Sequence, residues 1–139
     1  MLILDTNVVS EIMRPNPDNA VWGWVATQAP ATLHTTSITL AEMLYGIGIM
    51  PDGLRSRSMS QTVGRIFADY FPDRILPFDR NAAVAYAAVM AGRRRIGKPI
   101  QIVDAQIAAI ARAHGATVAT RNMRDFSDCG IDVVNPWQP

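Results

Sequence analysis

The sequence MLILDTN, residues 1–7, joins a short apolar run to three polar residues. Leu2, Ile3 and Leu4 show no alternation of apolar and polar side chains, a pattern typical of a strand that is buried on both faces of a parallel sheet. Asp5 follows at the carboxyl end of this strand, and open α/β sheets bind their ligands at that end. Asp5 is therefore either a turn residue or the first member of a functional site.

Strand and helix signals alternate along the rest of the chain. Apolar and β-branched runs predict further strands at residues 32–36, 74–78, 117–120 and 132–135. Helical spacing, caps and Pro positions predict helices within residues 10–14, 19–29, 39–49, 54–70, 80–96 and 102–114. This alternation predicts one domain over residues 1–139, folded as a three-layer α/β/α sandwich around a mainly parallel sheet.

The composition is that of a packed globular protein. Hydrophobic residues make up 49% of the 139 residues, charged residues make up 18%, and the formal net charge is +1. This balance excludes a polycationic nucleic-acid binder, so any contact with nucleic acid has to come from a local patch. Cys129 is the only cysteine, and the longest apolar run, 82–92, is shorter than the ~18–20 residues of a membrane span. We expect a cytoplasmic protein with no internal disulfide and no membrane contact.

Glu42 is the only charged residue between Ile38 and Met50. A helix that is apolar nearly all round is buried, and a lone carboxylate in it is costly unless something compensates its charge. One compensation is local, since Thr39 and Glu42 match the S/T-x-x-E capping box, in which Glu bonds back to the helix start. The other is a functional site, and both interpretations are open at this point.

Asp104 repeats the pattern near the first turn of the predicted helix 102–114. A carboxylate there is favoured by the helix dipole, worth ~0.3–1 kcal/mol, so Asp104 alone decides nothing. Together with Asp5 and Glu42 it is harder to dismiss, because unpaired carboxylates within a few ångströms repel each other. A divalent cation removes that conflict, and all-oxygen ligands suit Mg²⁺ or Mn²⁺, which lower the pKa of a bound water and hold a phosphate.

Six segments of the chain occur in a recognisable order and spacing. They are LDTNVVSE (4–11), ITLAEMLYGI (38–47), ILPFD (75–79), VDAQIAA (103–109), VATRNMRDF (118–126) and VVNPW (133–137). In register, they resemble the PIN-domain ribonucleases, specifically the VapC-type toxins of bacterial toxin–antitoxin pairs and their FitB-like subgroup. The resemblance spans nearly the whole chain.

The resemblance implies a PIN-like α/β/α sandwich and an endoribonuclease site dependent on Mg²⁺ or Mn²⁺. The family acids carry over to Asp5, Glu42 and Asp104, with Asp5 and Asp104 as metal ligands and Glu42 ligating the ion or orienting a water. That water would attack a phosphodiester and leave a 5′-phosphate and a 3′-hydroxyl. The resemblance also implies an RNA substrate, a homodimer and a cognate VapB- or FitA-like antitoxin, and it allows a higher hetero-oligomer with the antitoxin on operator DNA.

The chain departs from the family after the fourth strand, where Asn122 stands at a position that family members fill with an acid. Asn122 offers an uncharged oxygen that would position a metal-bound water. Asp125, three residues later, either supplies the missing carboxylate or caps a turn. Around these residues, Thr6 and Thr120 are candidates to hydrogen-bond the acids. Arg121 and Arg124 are candidates to contact RNA phosphates or an antitoxin carboxylate.

Two rival functions remain open. A haloacid-dehalogenase-like phosphatase also begins with an apolar strand ending in Asp, but it needs a second Asp where Asn7 stands and would have to use Lys98, the sole lysine, to bind phosphate. The other rival is a PIN-like binding module that Asn122 leaves too weak for turnover and that acts through its antitoxin and DNA. The arginine run 93–95, with Lys98, either contacts RNA phosphates or is a solvated helix end that complements the helix dipole, and we prefer the second interpretation.

Overall fold

Five short strands form one sheet in the computed structural model, which describes residues 1–139. The strands are β1 Leu2–Leu4, β2 Leu33–Thr36, β3 Ile75–Leu76, β4 Thr117–Ala119 and β5 Val133–Val134. They lie in the order β3-β2-β1-β4-β5, and every neighbouring pair is parallel. The strand that opens the sequence is therefore the centre of the sheet.

Six α-helices and two short 3-10 turns connect the strands. The helices are α1 Thr6–Ile12, α2 Asn19–Ala26, α3 Ser37–Gly48, α4 Leu54–Tyr70, α5 Arg80–Arg95 and α6 Ile102–His114, and the turns are Pro30–Thr32 and Met123–Phe126. None of these helices has the length and apolar character that a bilayer crossing requires. Side-chain caps from Asp18 and Asp79 begin α2 and α5, and Gly115 ends α6 in the left-handed region with φ 60°.

The two faces of the sheet bury separate cores. Ile3 and Val118 point into a core shared with α5 and α6, whereas Leu4 and Ala119 point into a core shared with α1, α2 and α4. Successive strand residues face opposite sides of a sheet, so both sides of β1 and β4 have to be apolar. This arrangement explains the unalternated run in residues 2–4 and confirms the predicted three-layer α/β/α fold.

Helix α3 departs from the prediction in two respects. The Thr36 hydroxyl accepts the Thr39 amide at 3.0 Å, so the helix begins at Ser37 and the capping box of Thr39 with Glu42 is wrong. The helix is also not buried all round, because Tyr45 is 70% exposed and Leu44 is 49% exposed. Glu42 therefore lies in the second turn, on a helix with one apolar face left open.

Candidate active site

The polar residues of the site extend the two central strands by one step. The Asp5 amide donates to the Ala119 carbonyl at 3.0 Å, and the Thr120 amide donates to the Val134 carbonyl at 2.9 Å. The sheet ladder therefore continues past β1 and β4 and places Asp5 and Thr120 side by side. Both side chains lie at the carboxyl edge of the sheet, as predicted from the strand directions.

Asp5 is a buried carboxylate with three donors. Its Oδ1 accepts the main-chain amide of Thr6 at 2.7 Å, a bond that also caps the start of α1. Its Oδ2 accepts the Thr120 hydroxyl at 2.7 Å and the side-chain amide of Asn7 at 2.9 Å. Burial raises the pKa of Asp5 above its ordinary value, and the Thr120 and Thr6 hydrogen bonds oppose that shift. The nearby charge of Glu42 raises the pKa further. Asp5 is thus both a turn residue and a member of an acidic cluster.

Glu42 reaches the same edge from α3. The Thr6 hydroxyl donates to Glu42 Oε1 at 2.6 Å. The Thr6 hydroxyl oxygen also lies 3.3 Å from the hydroxyl oxygen of the fully buried Thr39. The partner that compensates Glu42 is therefore on α1, one residue after Asp5, and not on its own helix. Thr6 touches both acids at once, through its amide and its hydroxyl.

Asp104 approaches from the first turn of α6. Its side chain is half-buried and makes neither a hydrogen bond nor an ion pair within the chain. Burial, followed by the charges of Asp5, Asp125 and Glu42, raises its pKa from 3.8 to about 6, while Arg93 acts in the opposite direction. Four carboxyl groups from four separate parts of the chain are thus close enough to interact electrostatically.

The structure distinguishes Asn122 from Asp125. Asn122 is exposed, and its side chain makes no hydrogen bond; its main-chain amide donates to the Thr120 hydroxyl at 3.0 Å, and its main-chain carbonyl accepts the Asp125 amide at 3.0 Å. Asp125 lies in the Met123–Phe126 turn, and its charge acts on Asp104. Asp125 is exposed as well, and its side chain makes no hydrogen bond or ion pair, so the two residues differ at the site in the negative charge that Asp125 brings.

Asn7 entered the sequence analysis only as the residue that stands in place of a phosphatase Asp, but the structure places it in the site. Its amide nitrogen donates to Asp5 Oδ2 at 2.9 Å and to the Thr120 hydroxyl at 3.1 Å, and its carbonyl oxygen accepts the Arg121 amide at 3.2 Å. An amide carries both donors and an acceptor, so one side chain orients Asp5 and fixes the segment after β4. Its position two residues after Asp5, in the first turn of α1, is the signal that could have identified it.

Two basic residues differ from their sequence interpretation. Arg93 is 6% exposed, so the expectation of a solvated arginine is wrong for this member of the 93–95 run. Lys98 pairs with Asp128 at 3.2 Å and is not among the groups that contact Asp5, so the phosphatase alternative lacks its lysine. Arg121 and Arg124 are both exposed and take part in no ion pair.

The donor chemistry of the site fits a hard divalent cation. No three His, Cys, Asp or Glu side chains meet at a spacing that would already enclose an ion. However, Asp5, Glu42 and Asp104 form no ion pair with any Lys or Arg. Burial, and to a smaller extent the neighbouring carboxylates, raise the pKa values of Asp5 and Asp104. Clustered carboxylates with no internal cation are the ligand set that Mg²⁺ and Mn²⁺ prefer.

The structure is a parallel sheet between two helical layers, with carboxylates gathered at the carboxyl edge of the sheet. This arrangement defines a class of α/β proteins whose ligand site is lined by acidic side chains. Comparison with known families gives the particular member of this class. Residues 2–130 match the PIN domain, and the chain belongs to the PIN domain family. The resemblance seen in the six sequence segments is thereby confirmed.

Curated relatives align with the chain from end to end. It is 43% identical to the VapC ribonuclease Y4jK of Sinorhizobium fredii, over 100% of this chain and 99% of that protein. It is 35% identical to the toxin FitB of Neisseria gonorrhoeae, over 99% of each chain. Among solved structures, FitAB bound to an IR36 DNA fragment superposes with a TM-score of 0.92 at 35% identity, covering 100% of this chain and 97% of that one.

Proposed function

We propose that the chain is a divalent-metal-dependent endoribonuclease that acts as the toxin of a toxin–antitoxin pair. The observation that carries this proposal is the convergence of Asp5, Glu42 and Asp104 at one sheet edge with no basic partner. The names of the similar proteins, a VapC ribonuclease and the toxin FitB, support the same activity.

In this proposal Asp5 and Asp104 hold a Mg²⁺ or Mn²⁺ ion. When bound, the ion supplies a Lewis acid that makes water more acidic and stabilises charge on a phosphate. Thr6, Asn7 and Thr120 fix both oxygens of Asp5, so this ligand is oriented before any ion arrives. Oriented ligands lose little conformational freedom on binding, which favours affinity.

Glu42 has the second role. Thr6 occupies its Oε1, and its other oxygen accepts no hydrogen bond within the chain. That oxygen is free to accept a hydrogen bond from the water that attacks the phosphodiester, and hence to orient it. In-line attack would leave a 5′-phosphate and a 3′-hydroxyl. Asp125 adds negative charge beside Asp104, and Asn122 at the rim positions water or substrate.

The partners follow from the same family membership. The FitAB complex on DNA supports assembly with a FitA- or VapB-like antitoxin and with operator DNA. The open apolar face of α3 supports a homodimer, because Leu44, Tyr45 and Ile49 are each about half or more exposed. Residues 1–139 supply one PIN-like domain to each copy.

The test is cleavage of a defined RNA by purified protein with Mn²⁺ or with EDTA. We expect cleavage only with Mn²⁺, new ends carrying 5′-phosphates, and loss of at least ~10²-fold in rate for Asp5→Ala and Asp104→Ala. Asp132→Asn, which changes an exposed acid before β5 at the opposite sheet edge, is the matched control and should cleave like the wild type. Cleavage that persists in EDTA, or in Asp104→Ala, contradicts the proposal.

A catalytically weak binding module is the second candidate, and Asn122 is the observation that favours it. The charge of Asp125 near Asp104 weighs against it, because it replaces the carboxylate that Asn122 lacks. Absence of Mn²⁺-dependent cleavage by a folded wild-type protein that still binds its antitoxin would establish the weak module instead.

A further inference from the structure

We infer that a surface pocket beside the acids binds one nucleotide of single-stranded RNA next to the scissile phosphate, with its base against Arg121 and its phosphate at Arg124. The pocket has a volume of about 410 Å³ and is lined by Arg121, Asn122, Met123, Arg124, Asp125 and Asn135. This inference rests on the proposed function, since it places one nucleotide of the proposed RNA substrate in this pocket.

The pocket is continuous with the acidic cluster through the segment after β4. Thr120 donates to Asp5, its hydroxyl accepts the Asn122 amide, and Asn7 holds the Arg121 amide. At the other end of the lining, the charge of Asp125 acts on Asp104. A polymer whose phosphate lies at the acids therefore has its neighbouring nucleotide within reach of this pocket.

The polar groups of the lining are largely unused within the protein. Arg121 and Arg124 form no ion pair, and the side chain of Asn122 makes no hydrogen bond. The side chain of Asn135 uses only its Oδ1, which accepts the Trp137 main-chain amide at 3.0 Å, so the two N–H donors of the side-chain amide are free. Two guanidinium groups and two amides with open hydrogen-bonding capacity suit a ligand that carries both a phosphate and a base edge.

Arg121 is held in a position suited to stacking. Its guanidinium carbon lies 4.7 Å from the ring centroid of Trp137, a half-buried residue that packs against the core beneath β5. The guanidinium therefore lies over the indole ring, and because Arg121 is exposed, the side of the guanidinium away from the indole is open to solvent. Nucleobases stack on arginine planes and aromatic rings, and single strands offer bases free to do so.

The arrangement favours a single strand over a duplex. In a duplex the base faces are already stacked, so Arg121 would contribute only its charge. In a single strand it contributes charge and a stacking surface together. Asn122, which replaces the family acid, keeps the net charge of this lining positive and suits it to an anionic ligand.

The test is fluorescence anisotropy with a labelled single-stranded RNA 12-mer in EDTA, so that binding is measured without cleavage. We expect Arg121→Ala and Arg124→Ala each to weaken binding by about 5- to 20-fold. Arg124→Ala should also reduce the slope of log K against log salt by about 0.7, the loss of one phosphate contact to a single strand. The matched control is Arg112→Ala, which removes an exposed arginine at the opposite edge of the sheet and should change affinity less than 2-fold.

Trp137 provides a second readout, because it acts through Arg121. Trp137→Leu should weaken binding, Trp137→Phe should retain most of it, and Arg121→Ala should cost less in the Trp137→Leu background than in the wild type. Circular dichroism confirms that the variants are folded.

Three results would overturn the subsite: wild-type protein that does not bind the 12-mer, Arg121 and Arg124 variants that match Arg112→Ala, or equal losses for duplex RNA. The subsite and the proposed function fail separately in these assays. Variant-sensitive RNA binding without Mn²⁺-dependent cleavage keeps the subsite and refutes the nuclease. Mn²⁺-dependent cleavage by the wild type, together with unchanged RNA binding in the Arg121 and Arg124 variants, keeps the nuclease and refutes the subsite.

Discussion

Arg93 holds the main chain of Asp125, since its Nη1 donates to the Asp125 carbonyl at 2.9 Å. The same guanidinium donates to the carbonyls of Ser127 at 2.9 Å and Lys98 at 2.6 Å. These bonds tie the end of α5 to the turn that carries the fourth carboxylate of the site. A charged residue that is 6% exposed and bonded to carbonyls, with no acid as partner, acts as a positioning residue for that turn.

We predict that Arg93→Ala lowers the free energy of unfolding by about 2–4 kcal/mol, because it removes a buried side chain and leaves three partly buried carbonyls without their donor. Amide hydrogen exchange at Asp125 and Ser127 should become faster, since both amides bond within the turn that Arg93 fixes. Arg93→Lys should restore part of the protection. The exposed neighbour Arg94 is the control, and Arg94→Ala should stay within about 0.5 kcal/mol of the wild type. Equal stability of Arg93→Ala and Arg94→Ala would refute the positioning role.

The hydroxyl of Thr6 is predicted to matter more for catalysis than for folding. Thr6→Val keeps the shape and the amide bond to Asp5 but removes the donor to Glu42, whereas Thr6→Ser keeps both. We expect Thr6→Val to reduce Mn²⁺-dependent cleavage by about 10-fold at a stability loss of about 1 kcal/mol, and Thr6→Ser to stay close to the wild type. Single-turnover cleavage and urea unfolding measure the two effects. A rate for Thr6→Val equal to that of Thr6→Ser would show that Glu42 does not depend on this bond.

The fold and the acids of the site could be predicted because each leaves a local signature. The unalternated run in residues 2–4 indicates a strand buried on two faces, and parallel strand ends meet at one edge, so Asp5 and Thr120 had to be neighbours. Glu42 and Asp104 stand out because an isolated acid in an apolar helix is costly. The pattern of apolar and charged residues in the sequence thus indicated both the fold and the sheet edge at which the acids meet.

The rest depends on contacts between residues distant in sequence. Glu42 matched a capping box, and only the placement of α1 against α3 shows that Thr6, 36 residues earlier, is its partner. Arg93 looked like one cation of a solvated run, because nothing in the sequence shows that a loop 32 residues away brings carbonyls to it. Long-range packing decides such cases, and local propensity cannot.

Asp125 is predicted to contribute more to metal affinity than Asn122. Both side chains are exposed and neither makes a hydrogen bond, but the charge of Asp125 raises the pKa of Asp104, whereas Asn122 carries no charge. By isothermal titration with Mn²⁺, we expect Asp125→Asn to weaken binding by about 5-fold or more and Asn122→Ala to change it less than 2-fold. Asn122→Asp adds a carboxylate at the rim and should tighten binding. A larger loss of Mn²⁺ affinity in Asn122→Ala than in Asp125→Asn would show that Asn122, and not Asp125, contributes more to metal binding.

The exposed face of α3 is predicted to be the contact between two copies of the chain. Tyr45 and Leu44 are 70% and 49% exposed on a helix whose other face packs in the core, and burying such side chains contributes ~1.5–3 kcal/mol each. Tyr45→Glu should therefore convert a dimer to a monomer in light scattering coupled to size-exclusion chromatography. Val84→Glu on α5, at 70% exposure, is the control and should leave the mass unchanged. A wild-type protein that is monomeric at high concentration contradicts the prediction.

Asp104 is predicted to make the metal-free protein less stable as pH rises. In the unfolded chain its pKa is about 3.9, whereas the folded protein raises its pKa to about 6. Between these values the folded state binds more protons than the unfolded state, so the free energy of unfolding falls as pH rises from about 4 to about 6. Asp5 acts with the same sign, because burial raises its pKa too.

Asp104→Asn should therefore unfold at higher urea concentration than the wild type at pH 7 in EDTA, by about 1–2 kcal/mol once solvent screening of this half-buried group is allowed for. Its advantage should vanish below pH 4, where the wild-type carboxyl is protonated. Mn²⁺ should raise the melting temperature of the wild type but not that of Asp104→Asn, since only the wild type keeps both ligands. Asp132→Asn, an exposed acid at the far edge, should show neither effect. If Asp104→Asn and Asp132→Asn give the same stability at pH 7, burial and the neighbouring acids do not disfavour the Asp104 carboxylate in the folded protein, and the case for a cation that compensates its charge fails.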